Sequence, residues 1–109
     1  MSPELQQSMS GLTLPNGWQV TSLISGGHKG WGHAHGAAVD VSGDKTPQSW
    51  QWLIDQIQSG RWKHIGTGAE YVGQEAFAQL KQYGQNYGVD VFDDPGTGFH
   101  VHLQAFGPL

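Results

Sequence analysis

Segments in which apolar and polar residues alternate predict β-strands near both ends of the chain. Alternation that includes β-branched residues marks the segment from Trp18 to Ile24, and alternation recurs from Phe99 to Phe106. Shorter β-branched or apolar segments predict three further strands, at residues 37–42, 62–65 and 89–92. Because successive side chains of a strand point to opposite faces, such strands favour a sheet with one buried face.

A longer period predicts two helices between these strands. Thr46 and Pro47 form a typical helix start, with threonine as the cap and proline at the first helical position. Apolar residues then recur at i, i+3, i+4 and i+7, which predicts a buried stripe of Trp50, Leu53, Ile54 and Ile57. Gly60 ends this helix, and a second helix is predicted from Gln74 to about Tyr87. Residues 66–73 are predicted to be a loop.

The order of these elements predicts an α+β fold. We expect a small, mainly antiparallel sheet with the two helices packed on one face and a zinc cleft on the other. A chain of 109 residues is the size of one domain, so residues 1–109 are expected to form a single unit. Residues 1–12 are polar and are expected to be flexible.

The last predicted strand separates its side chains into an apolar face and a polar face. Val101 and Leu103 point towards the helices in this arrangement, and His100, His102 and Gln104 point the other way. Histidines at alternate positions on the polar face indicate a site on that side of the sheet.

Composition and charge exclude several classes of function. The chain has five Lys and Arg residues and a net charge of −4, so it lacks the basic surface that a nucleic-acid-binding protein needs. It has no apolar run long enough to span a membrane, and residues 1–12 do not resemble a signal peptide. The absence of cysteine excludes disulfides, thiolate metal ligands and cysteine nucleophiles.

Two histidines and one aspartate are the strongest candidates for chemistry. His33 and Asp40 lie in the segment G-H-A-H-G-A-A-V-D, and His102 lies in F-H-V-H-L. Two imidazoles and one carboxylate are typical protein ligands of a catalytic zinc ion, which keeps its remaining position for water. Asp40 also lies in an apolar strand, where a buried carboxylate needs a cation or strong donors. We therefore expect one Zn²⁺ ion. His28 and His64 are predicted to be surface residues.

These motifs resemble a family of zinc peptidases. His33, Gly36, Ala38 and Asp40 match the pattern H-x-x-G-x-A-x-D, which is similar to the signature of zinc D-Ala-D-Ala carboxypeptidases and L-alanyl-D-glutamate endopeptidases. Some phage endolysins belong to this group, and the hedgehog signalling domain shares its scaffold. The closing His-x-His is similar to the last strand of the family. The resemblance implies that His33, Asp40 and His102 bind zinc, and that His100 assists catalysis.

The sequence departs from the family pattern in two places. No acidic residue lies immediately before His102, so Asp94, and then Asp93, are the candidates for the catalytic acid or base. The loop before the first histidine has no arginine to bind a substrate carboxylate, and Lys29 and His28 are the candidate substitutes. Trp31 and His35 are further candidates for substrate binding. The missing arginine favours an endopeptidase over a carboxypeptidase.

The resemblance implies a peptidase that cleaves peptidoglycan stem peptides outside the cytoplasm, as a phage enzyme or as part of a larger phage or wall protein. One alternative is a zinc-bearing wall-binding or structural module without catalytic activity. A second alternative is a non-haem iron oxygenase, which also uses two histidines and one carboxylate. Asp40 lies seven positions after His33, and this spacing disfavours the oxygenase, because such enzymes usually place His and carboxylate two positions apart.

Overall fold

The fold is described from a computed structural model for residues 2–22, 36–96 and 98–109. These residues form helices and strands with the following bounds: α1, Pro3–Met9; β1, Gln19–Ser22; β2, Ala38–Ser42; α2, Pro47–Gln58; β3, His64–Thr67; α3, Ala69–Val72; α4, Gln74–Asn86; β4, Asp90–Asp93; β5, His100–Gln104.

The five strands form one sheet in the order β1-β2-β5-β3-β4. All neighbouring strands are antiparallel except β3 and β4, which are parallel. A parallel pair needs a long crossover connection, and α3 and α4 supply it. The predicted α+β fold with a mainly antiparallel sheet is confirmed.

One face of the sheet carries the hydrophobic core. Alternate residues of the inner strands point to this face, where α2 and α4 cover them. The buried cluster includes strand residues Val39, Val41, Ile65, Val91, Val101 and Leu103 and helix residues Trp52, Leu53, Ile57, Phe77 and Leu80. The predicted orientation of Val101 and Leu103 towards the helices is therefore confirmed.

Helix α2 starts at the predicted cap and buries part of the predicted stripe, including Ile57. The hydroxyl of Thr46 accepts a hydrogen bond from Ser49 N at 3.3 Å, and Ser49 Oγ accepts one from Thr46 N at 2.9 Å. Leu53 is buried as predicted, whereas Trp50 is only partly buried and Trp52 takes its place in the core. Trp52 is turned inward because its indole N–H donates to Thr13 O and its ring packs on Trp18, with ring centroids 5.3 Å apart.

The first twelve residues, expected to be flexible, contain a helix that contributes to the core. Leu5 on α1 is fully buried. Ser2 caps this helix by accepting from Leu5 N, and its hydroxyl donates to Gly36 O at 2.8 Å. At the other end, the Arg61 guanidinium donates to Ser8 O and Ser10 O. The sequence did not predict this helix, because Leu5 is its only buried residue and the rest of the segment is mostly polar.

The loop prediction for residues 66–73 is also wrong. Gly66 and Thr67 complete β3, and the short helix α3 follows at Ala69–Val72. The Asp93 carboxylate accepts a hydrogen bond from Ala69 N at 2.9 Å and so stabilises the first turn of α3. This contact joins residues 24 positions apart, and local sequence patterns do not reveal it.

Within the part of the chain that the structure describes, no helix has the length and apolar character needed to cross a bilayer.

Substituting Leu5 tests whether α1 belongs to the core. Leu5→Ala removes a fully buried side chain, and we expect the free energy of unfolding to fall by about 2–4 kcal/mol in a chemical denaturation experiment. Leu109→Ala is the matched control, because Leu109 is 54% exposed and its truncation should change stability by less than about 0.5 kcal/mol. If Leu5→Ala changed the free energy of unfolding as little as Leu109→Ala does, α1 would not be packed against the core in solution.

Candidate metal centre

The second face of the sheet is lined by polar side chains brought together by strand register. Asp40 on β2 lies directly opposite His102 on β5, and His102 lies opposite Gly66 on β3. Residues directly opposite each other share a face of the sheet, so Asp40 and His102 meet on the side away from the helices. The sequence predicted this polar face from the parity of β5.

Asp40 and His102 are in direct contact and nearly shielded from solvent. Asp40 Oδ1 lies 3.1 Å from His102 Nδ1, and the two side chains are 6% and 9% exposed. His102 Nε2 lies 2.9 Å from Gln104 Oε1, on the same face of β5. Both ring nitrogens of His102 are thus held by side chains of the sheet.

Asp94 joins this pair from the segment that follows β4. One ligand atom from each of Asp40, Asp94 and His102 lies within 4.8 Å of the other two, which is a grouping able to hold a metal ion. The donors are one imidazole nitrogen and carboxylate oxygens, a set that suits zinc and several other divalent transition metals. The grouping therefore supports the expectation of a metal site around Asp40 and His102, and it adds Asp94 as a candidate ligand.

His100 is held beside the same group by Asp94. Its Nε2 lies 2.9 Å from Asp94 Oδ2, and its Nδ1 lies 3.2 Å from Gly98 O. The hydrogen bond to Asp94 raises the pKa of His100 to about 8, although partial burial opposes this shift. The loop passes so close that a Cβ at Gly96 would lie 2.8 Å from His100 Cε1. His100 and Asp94, two residues of the predicted catalytic set, therefore form a hydrogen-bonded pair.

Asp93, the other acidic candidate, is placed differently. Its carboxylate bonds Ala69 N, and it lies opposite Thr67 in the parallel register of β3 and β4. Strand alternation puts it on the opposite face from Phe92, whose ring faces His102. The structure thus brings Asp94, and not Asp93, to the candidate metal group.

Two residues that shape this site were not identified from the sequence. The Phe92 ring packs edge-to-face on His102, with ring centroids 5.6 Å apart. This ring lies over Gly66, where an added Cβ would come within 2.4 Å of Phe92 Cζ. Only glycine fits beneath the ring, and that requirement depends on a pairing across three strands.

Five of the predicted site residues lie outside the described residues: His33, His35, His28, Lys29 and Trp31. The described part of the first motif begins at Gly36, whose φ of +66° favours glycine, and continues through Ala38 to Asp40. The predicted cleft and the third ligand of the predicted zinc set therefore remain predictions. His64, predicted to lie on the surface, is buried, with Nδ1 2.7 Å from Asp90 Oδ2 and Nε2 2.8 Å from Gly107 O.

Comparison with protein-family models, with curated proteins and with solved structures finds no match to this chain. The function must therefore be inferred from the residues and geometry of the site itself.

The contact between Gly66 and Phe92 predicts the effect of adding one methyl group. Gly66→Ala displaces the ring that supports His102, and we expect a loss of about 1–3 kcal/mol in the free energy of unfolding. Gly98→Ala is the control, since a Cβ there meets no atom within 4 Å. Chemical denaturation of the two variants checks this, and an unchanged stability of Gly66→Ala would contradict the described packing.

Proposed function

We propose that this chain is a zinc-dependent peptidase that cleaves peptidoglycan stem peptides. The observation that carries the proposal is the convergence of Asp40, Asp94 and His102, three ligand-bearing side chains from three parts of the chain, on one face of the sheet. The motif around His33 and Asp40, which resembles that of zinc peptidases of the cell wall, supplies the reaction class. The same motif makes His33 the proposed third ligand beside Asp40 and His102.

The distance between Asp40 and His102 is close to that between two ligands of one metal ion. Zinc binds nitrogen and carboxylate oxygen at about 2.0–2.2 Å, and tetrahedral geometry then places two ligand atoms about 3.3–3.6 Å apart. Asp40 Oδ1 and His102 Nδ1 are 3.1 Å apart, so a separation wider by only a few tenths of an ångström would let them share an ion. A bound zinc ion would supply a water molecule of lowered pKa and would polarise the peptide carbonyl.

His100 and Asp94 are suited to handle the proton that peptide hydrolysis must transfer. The imidazole of His100 is 18% exposed, so substrate can reach it, and its pKa of about 8 lies near the pH at which such an enzyme would work. Asp94 orients the ring through Oδ2, and one of its carboxylate oxygens lies within 4.8 Å of ligand atoms of Asp40 and His102. We assign His100 as the general acid or base and Asp94 as the residue that orients it.

The proposed substrate determines where the protein would act. Peptidoglycan lies outside the cytoplasm, so the proposed setting is a phage virion, the periplasm or the cell wall, with the chain as part of a phage or wall protein. An endopeptidase is favoured over a carboxypeptidase, because the loop before His33 contains no arginine to hold a terminal carboxylate. Lys29, Trp31 and His35 are proposed to contact the peptide.

One observation favours a second function, a zinc-bearing wall-binding or structural module without turnover. The Asp40 and His102 side chains are 6% and 9% exposed, and such burial restricts the approach of a peptide carbonyl. A protein that binds metal and cell wall but cleaves nothing would be this module. Iron in place of zinc, shown by elemental analysis, would instead support an oxygenase.

Metal binding is tested by removing one charged oxygen. Asp40→Asn replaces a buried carboxylate with a weaker, neutral ligand, and we expect zinc affinity measured by competition with a chelating dye to fall at least tenfold. Asp55→Asn is the matched control, because Asp55 lies on the exposed side of α2 and bonds Gln51. Equal zinc binding by both variants would contradict a metal site at Asp40.

Catalysis is tested on purified peptidoglycan by measuring the release of new amino groups. We expect cleavage by the zinc-loaded protein, no cleavage after chelation or in His102→Ala, and restoration when zinc is added back to the chelated protein. His100→Ala should retain zinc and lose about 100-fold or more in rate, because it removes the proposed proton carrier. Failure of the zinc-loaded protein to release peptide at any neutral pH would rule out the peptidase and leave the binding module.

A further inference from the structure

We propose that Gln104 is a positioning residue that presents the Nδ1 lone pair of His102 to the metal site. This inference rests on the proposed metal site but not on peptidase activity. Gln104 is 1% exposed, lies two residues from His102 on the same face of β5, and belongs to neither of the motifs that indicate zinc.

The backbone that follows β5 determines which way the Gln104 amide faces. Its Nε2 lies 2.7 Å from Pro108 O and 3.0 Å from Phe106 O. Carbonyl oxygens only accept hydrogen bonds, so the NH₂ end of the amide must face them. The oxygen end, Oε1, is therefore directed at His102 Nε2, 2.9 Å away.

The orientation of the amide in turn fixes the proton on His102. Because Gln104 Oε1 can only accept, His102 Nε2 must carry the hydrogen and donate it. In the neutral ring this leaves Nδ1 without a proton, with its lone pair facing the Asp40 carboxylate oxygen 3.1 Å away. Two acceptors in contact at this distance repel each other unless a positive ion lies between them, which is either a second proton on His102 or a metal ion.

Burial indicates that this glutamine serves more than packing. A buried amide costs free energy unless its polar atoms are bonded, and an apolar side chain of similar size would avoid that cost. In proteins that bind metals, residues that hold the second nitrogen of a ligating histidine typically change metal affinity by about 10- to 100-fold when they are replaced. Gln104 makes the contacts expected of such a residue.

The test compares two buried glutamines that each accept a hydrogen bond from a ring N–H. Gln104→Leu removes the acceptor for His102, and Gln56→Leu removes the matched acceptor for Trp62 Nε1, at 2.8 Å on the other side of the sheet. We expect both variants to lose stability, but only Gln104→Leu to lose about 10- to 100-fold in zinc affinity. Equal zinc affinities would show that Gln104 has a structural role only.

A second measurement needs no variant, and it tests the proposed protonation of His102 even if Gln104→Leu fails to fold. Long-range ¹H–¹⁵N correlation spectra of the metal-free protein distinguish the two neutral forms of the His102 ring. We expect a proton on Nε2, whether or not Nδ1 also carries one, because Gln104 Oε1 can only accept. A ring protonated at Nδ1 alone would overturn the proposal. A wild-type protein that binds no zinc would overturn both this proposal and the proposed metal site, whereas a zinc-binding protein without peptidase activity would overturn only the proposed reaction.

Discussion

Asp40 and His102 are 62 residues apart in the chain and lie opposite each other because β2 and β5 pair antiparallel. This pairing runs from Ala38 opposite Gln104 to Ser42 opposite His100. This register is held by the core. A shift of one residue would turn every side chain of β5 to the other face, exposing Val101 and Leu103 and burying histidines among the helices. Packing of the apolar face therefore keeps the candidate metal ligands in place, and the site depends on the same pairing that stabilises the domain.

The opposite face of the sheet tolerates burial because its polar groups bond one another. Asp40, His102 and Gln104 form one connected series, and His64 with Asp90 forms another. Among the described residues, every buried side-chain nitrogen and oxygen has a hydrogen-bond partner. Such a layer is rigid, because each member restricts the rotamer of the next, and rigid ligands favour a defined metal geometry.

The sequence predicted the parts of this molecule that depend on local pattern. The period of β5 indicated which of its residues face the core, and Thr46 with Pro47 indicated where α2 begins. The sequence did not reveal contacts between distant segments: Leu5 anchoring α1, Phe92 over Gly66, or the Gln104 amide directed by the residues after β5. The sequence ranked Asp94 ahead of Asp93, and the fold supplies the physical difference: Asp94 lies beside His100, whereas Asp93 bonds the start of a helix.

The two ends of the described chain both contact residues next to the candidate site. Ser2 bonds Gly36 O, two residues before β2 begins, and the carbonyls of Phe106 and Pro108 hold the amide of Gln104. A tag or a domain fused at either end is therefore attached close to segments that border the metal face. Gly60, exposed in the turn between α2 and β3, has a φ of +76° that favours glycine, so a reporter domain in this turn is better inserted beside Gly60 than put in its place.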